Sequence, residues 1–193
     1  MESSDSIRSP ETGRDNIYLV GLMGCGKTSV GKVLARLLQK EFIDSDHEIE
    51  RVTGVRIPVI FEIEGEAGFR AREHKMITEL VARNNILLAT GGGAILSKEN
   101  RNLLKSNGKV IYLRAPIKSL LKRTQHDRSR PLLRVPDPAA KLTELYELRD
   151  PLYREIAHLI VDTGNQSVRA LAGQIEAKLK SIANDQSNAA NRL

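Results

Sequence analysis

A single cysteine, no tryptophan and an aromatic fraction of only 4% mark this 193-residue sequence, and each scarcity removes a class of protein. Cys25 has no second cysteine to pair with, so an intrachain disulfide framework is excluded and a reducing, cytoplasmic setting is expected. No apolar run approaches the ~20 residues that span a bilayer, so no membrane partner is expected. The opening MESSDSIRSPETGRD is polar with mixed charge, unlike a secretory signal. The four histidines (His47, His74, His126 and His158) lack the spacing of metal ligands and read as surface or structural residues. The Asn-Lys-x-Asp pattern by which GTPases read guanine is missing too, which leaves ATP as the default nucleotide.

What the chain does carry is positive charge, +6 overall. Residues 1–15 hold two arginines against four acidic residues, a balance of −2, so the remainder carries +8. Between Lys118 and Arg134 lie six basic residues (Lys118, Lys122, Arg123, Arg128, Arg130 and Arg134) against Asp127 alone. Such a cluster serves polyanions. It has no interleaved aromatic residue on which bases could stack, so nucleotide phosphates are favoured over nucleic acid.

Along the chain, apolar runs suited to buried strands occur at 17–20, 42–44, 86–89, 110–113 and 159–161. Helical spacing separates them, as at Val30, Val33, Leu34, Leu37 and Leu38. The pattern predicts an α/β fold, a five-stranded parallel sheet sandwiched by helices. Residues 1–15 read as a disordered leader, 16–182 as one domain, and 183–193 as a second tail. The proline- and arginine-rich stretch at about 127–138 reads as a mobile loop.

The strongest motif is Gly21-Leu22-Met23-Gly24-Cys25-Gly26-Lys27-Thr28, after the first strand and opening a helix expected over 27–40. It fits the phosphate-binding pattern G-x-x-x-x-G-K-[ST] in full, in the context that gives the pattern its mechanics. Glycines let successive backbone N–H groups converge on phosphate oxygens, and the helix N-terminus adds its positive end. Gly24 through Ser29 are thus candidate ATP contacts. Lys27 is expected on the β- and γ-phosphates, and Thr28 on Mg²⁺. At a helix N-terminus beside Lys27, Cys25 is either a reactive thiol or a small residue whose N–H does the work; the second reading is preferred. Asp162 reads as a cap or turn residue.

Five further stretches carry candidate site residues, the first of them on the edge where ligands collect in such sheets. Asp44 and Asp46 end the second strand, and either could also cap the helix expected near His47. Arg70 follows in "GEAGFRAREH", where it could equally pair with Glu66 or Glu73 on its own helix. Gly91, Gly92 and Gly93 end the third strand, where backbone could approach a ligand; three glycines are hard to justify by packing alone. "RSRPLLR" sits in the mobile loop, and "ELRDPLYRE" carries Arg149. Glu62, Glu64 and Glu66 read as a solvated acidic turn.

The set D-S-D, F-R, G-G-G, R-P-L-L and L-R-x-P-L-Y, in this order behind the phosphate loop, resembles the shikimate kinase family over about residues 16–180. The resemblance implies a P-loop kinase of the nucleoside monophosphate kinase type, with 127–138 as its lid. It implies that Asp46 holds and activates the attacking hydroxyl, while Asp44 supports Mg²⁺ through water. Arg70 and Arg149 would clamp the shikimate carboxylate, and the triple glycine, chiefly Gly92, would contact the ring hydroxyls. Arg130 would reach the transferring phosphate, Arg123 would flank the adenine, and the loop around Gln166 would cover the base. ATP and shikimate are the implied partners of a monomeric enzyme. Another small P-loop kinase, acting on a sugar acid or nucleoside monophosphate, and a non-catalytic nucleotide-binding regulator are the competing readings.

Overall fold

Five apolar runs become five strands: β1 Ile17–Val20, β2 Glu41–Asp44, β3 Ile86–Ala89, β4 Lys109–Arg114 and β5 Leu159–Asp162. They pair in the order β2-β3-β1-β4-β5, every pair parallel, as the expected architecture requires. The computed structural model describes residues 15–125, 131–133, 135–164 and 166–190. Every residue of β1 and β3 is buried, which is why these segments read as unbroken apolar runs rather than alternating ones.

Seven helices flank the sheet among the described residues: α1 Lys27–Leu37, α2 Ser45–Thr53, α3 Ile57–Val81, α4 Lys98–Asn107, α5 Ile117–Thr124, α6 Pro138–Ile156 and α7 Val168–Ala190. α1 stops short of the expected residue 40, because Gln39 takes a left-handed conformation (φ 54) that ends the turn. α3 is not one smooth helix. Gly65 interrupts it with φ 69 and ψ −175, a conformation that glycine alone tolerates. Glu62, Glu64 and Glu66 therefore lie on helical limbs either side of a kink, not in the solvated turn expected from composition. α7 runs to Ala190, so 183–190 continue a helix where a tail was expected; its apolar positions Leu171, Ala172, Ile175 and Leu179 are buried and anchor it. Residues 1–14 and 191–193 lie outside the described residues. Asp15, the end of the expected leader, is described and is ion-paired with Lys40 at 2.6 Å.

Because β1 sits between β3 and β4, the crossover helices diverge at its carboxyl end. A crevice opens there, at the point where open parallel sheets bind ligands. The phosphate loop, Asp44 and the triple glycine all follow the carboxyl ends of β1, β2 and β3.

Candidate active site

The loop between β1 and α1 turns on three glycines with positive φ: Gly21 (143), Gly24 (78) and Gly26 (101). Left-handed backbone at these positions aims the N–H groups inward, and Gly26 stands as the N-cap of α1. Lys27 lies over the loop's own rim, its Nζ donating to the carbonyl oxygens of Gly21 at 2.7 Å and Leu22 at 3.0 Å. Cys25 is 1% exposed, packed within the loop, so the preferred reading of it as a small loop residue fits its surroundings better than a reactive surface thiol.

Asp44 does two things at once. Its Oδ1 accepts from the backbone N–H of Asp46 (3.1 Å) and His47 (3.5 Å), capping α2, while its Oδ2 accepts from the Thr28 hydroxyl at 2.7 Å. A hydroxyl and a carboxylate at the mouth of a phosphate loop form a hard, all-oxygen donor pair of the kind Mg²⁺ takes. Among the described residues no group of three or more His, Cys, Asp or Glu side chains could hold a metal, so a cation here would draw the rest of its shell from phosphate and water.

Packing accounts for two of the three glycines, Gly91 and Gly93. A Cβ at Gly91 would collide with Glu73 and lie 2.8 Å from Asp46 Oδ1. One at Gly93 would strike the Arg70 guanidinium, whereas one at Gly92 would only touch the phosphate loop, at ordinary contact distance 3.4 Å from Gly21 O and Met23 N. Gly91 and Gly93 thus let charged side chains close on the triple-glycine loop. The loop is held from several elements. Ser45 Oγ accepts from Gly91 N–H at 2.9 Å; Arg149 Nη1 and Tyr153 Oη, both on α6, donate to Gly92 O at 3.2 and 2.5 Å; Asn100 on α4 donates to Ala94 O at 2.9 Å. His74 in turn bonds Asn100 through Nδ1 at 2.7 Å, and His158 Nδ1 accepts from Val110 N–H at 3.0 Å, so both are structural as expected.

Arg70 makes both helix pairings that its spacing allowed, to Glu73 at 2.7 Å and Glu66 at 2.9 Å, and still lines the cleft. Glu73 is fully buried, and sequence reasoning saw it only as a partner for Arg70. Burial pushes its carboxyl up to about 7; Arg70 pulls the other way, and nearby Asp46 adds to the rise. Its periodic position on α3 was the available signal; its depth was not. Arg149 is 2% exposed, and its buried Nε has no hydrogen-bond partner among the described residues. Burial, together with Arg70, holds this guanidinium below its ordinary value.

One cavity of about 1000 Å³ joins these groups. The phosphate loop, Asp44, Asp46, Arg70, Gly91–Gly93 and Arg149 line it, and at the far end so do Arg123 and Gln166. Arg123 donates to Gly24 O (3.2 Å) and Gly164 O (3.5 Å), tying the phosphate loop to the segment after β5. Gln166 reaches Asp162 O and Gln174 at 3.5 and 3.4 Å. Asp162, expected as a cap or turn residue, instead ends β5 and forms a bidentate ion pair with Arg114 across the β4–β5 edge. Arg130 and His126 lie outside the described residues. Leu132, in the short 3₁₀ turn Pro131–Leu133, lines the cavity, and Pro138, assigned to the lid from sequence, opens α6.

Comparison with known proteins agrees with this geometry. A family model described as shikimate kinase matches residues 23–180. The shikimate kinase of Cupriavidus pinatubonensis is 59% identical over 170 residues, 88% of this chain and 88% of that protein. The solved structure of shikimate kinase from Acinetobacter baumannii in complex with shikimate superposes with a TM-score of 0.86 at 53% identity, covering 88% of this chain and 95% of the other. A gluconokinase from Sinorhizobium meliloti, 17% identical with a TM-score of 0.60, covers 91% of this chain and 97% of its own and shares the fold alone.

Proposed function

This chain belongs to the shikimate kinase family, and we propose that its cleft transfers the γ-phosphate of ATP to the 3-hydroxyl of shikimate, releasing ADP and 3-phosphoshikimate on the route to chorismate and aromatic amino acids. The observation that carries this reading is the single cavity whose walls include the phosphate loop at one side and Asp46, Arg70 and Arg149 at the other. A donor loop alone would serve any nucleotide-binding protein. Two guanidinium groups and a carboxylate beside it suit an acceptor with an acid at one end and hydroxyls at the other.

The roles follow from the chemistry of each group. Backbone N–H groups of Gly24–Ser29 and the Lys27 ammonium hold the phosphates, while Arg123 and Gln166 bound the space for the base. Arg70 and Arg149 receive the shikimate carboxylate in charge-assisted bonds, each worth roughly 1.5–3 kcal/mol. Asp46 accepts the proton of the attacking hydroxyl as the oxygen bonds to phosphorus, and Gly91–Gly93 bring backbone against the ring. Arg130, in the lid segment that precedes α6, neutralises charge spread over the equatorial oxygens. Thr28, and Asp44 through water, would hold Mg²⁺, which would supply charge neutralisation and orientation to the polyphosphate. Positioning and electrostatics carry the rate, since phosphoryl transfer asks little covalent chemistry of the protein.

ATP and shikimate are the partners of this reading, and we take the protein to act as a monomer in the cytoplasm. The buried, unpaired Cys25 suits a reducing compartment, and among the described residues no helix is long and apolar enough to cross a membrane. A coupled assay for ADP release, with and without shikimate, tests the function. Turnover that depends on shikimate is expected; turnover indifferent to it would assign the cleft another acceptor.

A further inference from the structure

A guanidinium offers its five N–H groups in a planar fork, so it has more than one edge able to receive a carboxylate. In Arg70 two edges are in use, and they are not alike. Nη1 donates to Oε2 of Glu73 at 2.7 Å, and that side chain is 1% exposed. Nε and Nη2 both donate to Oε1 of Glu66, at 3.3 and 2.9 Å, and that side chain is 48% exposed. Glu73 is fixed in the protein interior. Glu66 stands at the rim and regains most of its hydration on release, so its bond is weak and reversible.

Glu66 is also the first residue past the kink. Gly65 holds a backbone conformation that other residues rarely adopt, and among the described residues no atom beyond its immediate chain surroundings lies within 4 Å of where its Cβ would be. A change in the Gly65 torsions would move Glu66 relative to the helical limb 57–64. That limb supplies Ile57, Pro58, Val59 and Phe61 to the cleft wall. The pair Glu64–Arg72, at 2.6 and 2.8 Å, ties the two limbs together across the kink and is itself exposed.

We propose that Glu66 is an internal competitor for the substrate carboxylate: it holds the Nε–Nη2 edge of Arg70, and an incoming acid must displace it. The inference rests on Arg70 receiving the acceptor's carboxylate, as assigned above. Exchange of one carboxylate for another leaves the charge around Arg70 unchanged, which keeps the desolvation of the site small when the substrate enters. The exposed Glu66 side chain can swing out into solvent by rotating about its own side-chain bonds. Glu66 thus sets the affinity for the acid without forming part of the final complex.

Calorimetric titration with shikimate tests this on four proteins: wild type, Glu66→Ala, Arg70→Met and the double variant. Glu66→Ala is expected to bind shikimate roughly 1.5- to fivefold more tightly than wild type, the range of an exposed ion pair removed from competition. In the Arg70→Met background the same substitution is expected to change nothing, because the contested edge is gone. Unchanged or weaker binding by Glu66→Ala overturns the competitor. Equal tightening in both backgrounds also overturns it, since that reports only the loss of a negative charge from the cleft. Arg70→Met binding as wild type would instead overturn the assignment of Arg70 to the carboxylate, and the competitor with it. Glu66→Gln serves as a second variant that keeps the side-chain volume; an effect between those of wild type and alanine is expected, and weaker binding than wild type overturns the idea.

Discussion

Glu73→Gln should make this protein more stable at pH 8 and leave it unaltered in acid. Glu73 is fully buried, and its folded-state pKa is about 7 against an ordinary 4.5. The folded chain therefore binds this proton more tightly than the unfolded chain does. Stability due to the neutral carboxyl is fully present below pH 4.5, is lost as pH rises through the window from 4.5 to about 7, and is flat above it. The gap corresponds to roughly 3 kcal/mol, the cost of ionising a desolvated carboxyl beside Asp46 after the attraction of Arg70 is counted. Glutamine copies the shape and hydrogen-bonding pattern of the protonated acid, with its oxygen still able to accept from Arg70 Nη1. The assay is urea unfolding of both proteins, without ligands, at several values from pH 5 to pH 8; subtracting one curve from the other cancels every other titrating group. The variant's advantage should grow by roughly 2–3 kcal/mol across that range. A difference that stays flat, or shrinks as pH rises, would mean that Glu73 is ionised throughout and that Arg70 outweighs burial.

Three further outcomes follow from the site. Asp46→Asn should lower kcat by roughly 10²–10⁴ with ATP still bound, as measured by steady-state turnover and nucleotide titration; near-normal turnover would take Asp46 out of any acid–base role. Arg149→Ala should weaken shikimate binding by about 2–5 kcal/mol while ATP affinity barely moves, since a desolvated carboxylate would lose its partner. Equal losses for both ligands in calorimetry would make Arg149 a structural residue that only holds Gly92. Arg130→Ala should lower kcat at least ~10²-fold with little change in the Michaelis constant for shikimate, and lysine should restore only part of the rate; an unchanged kcat with a raised constant for ATP would make it a nucleotide contact instead.

Much of this was legible in the residues themselves, because the controlling physics is short-ranged. The phosphate loop depends on glycine torsions and on N–H groups a few residues apart, so Gly21 to Thr28 announced their geometry before any fold was known. The strands were readable as apolar runs, and the carboxylates at the end of β2 as ligand or cap; Asp44 is placed to be both, its two oxygens serving α2 and Thr28. The kink at Gly65 was hidden, since glycine in an acidic stretch suits a solvated turn equally well, and only the partners Arg70 and Arg72 on the next limb make it a break between two helices. Tertiary structure alone decided the inner site. Glu73, Asp46, Gly91, Arg70 and Arg149 come from four separate segments, and their meeting sets which carboxyl is desolvated, which guanidinium is contested and why Gly91 and Gly93 are glycine where side chains crowd. Burial and charge act through space, between residues the chain does not bring together until the sheet is assembled.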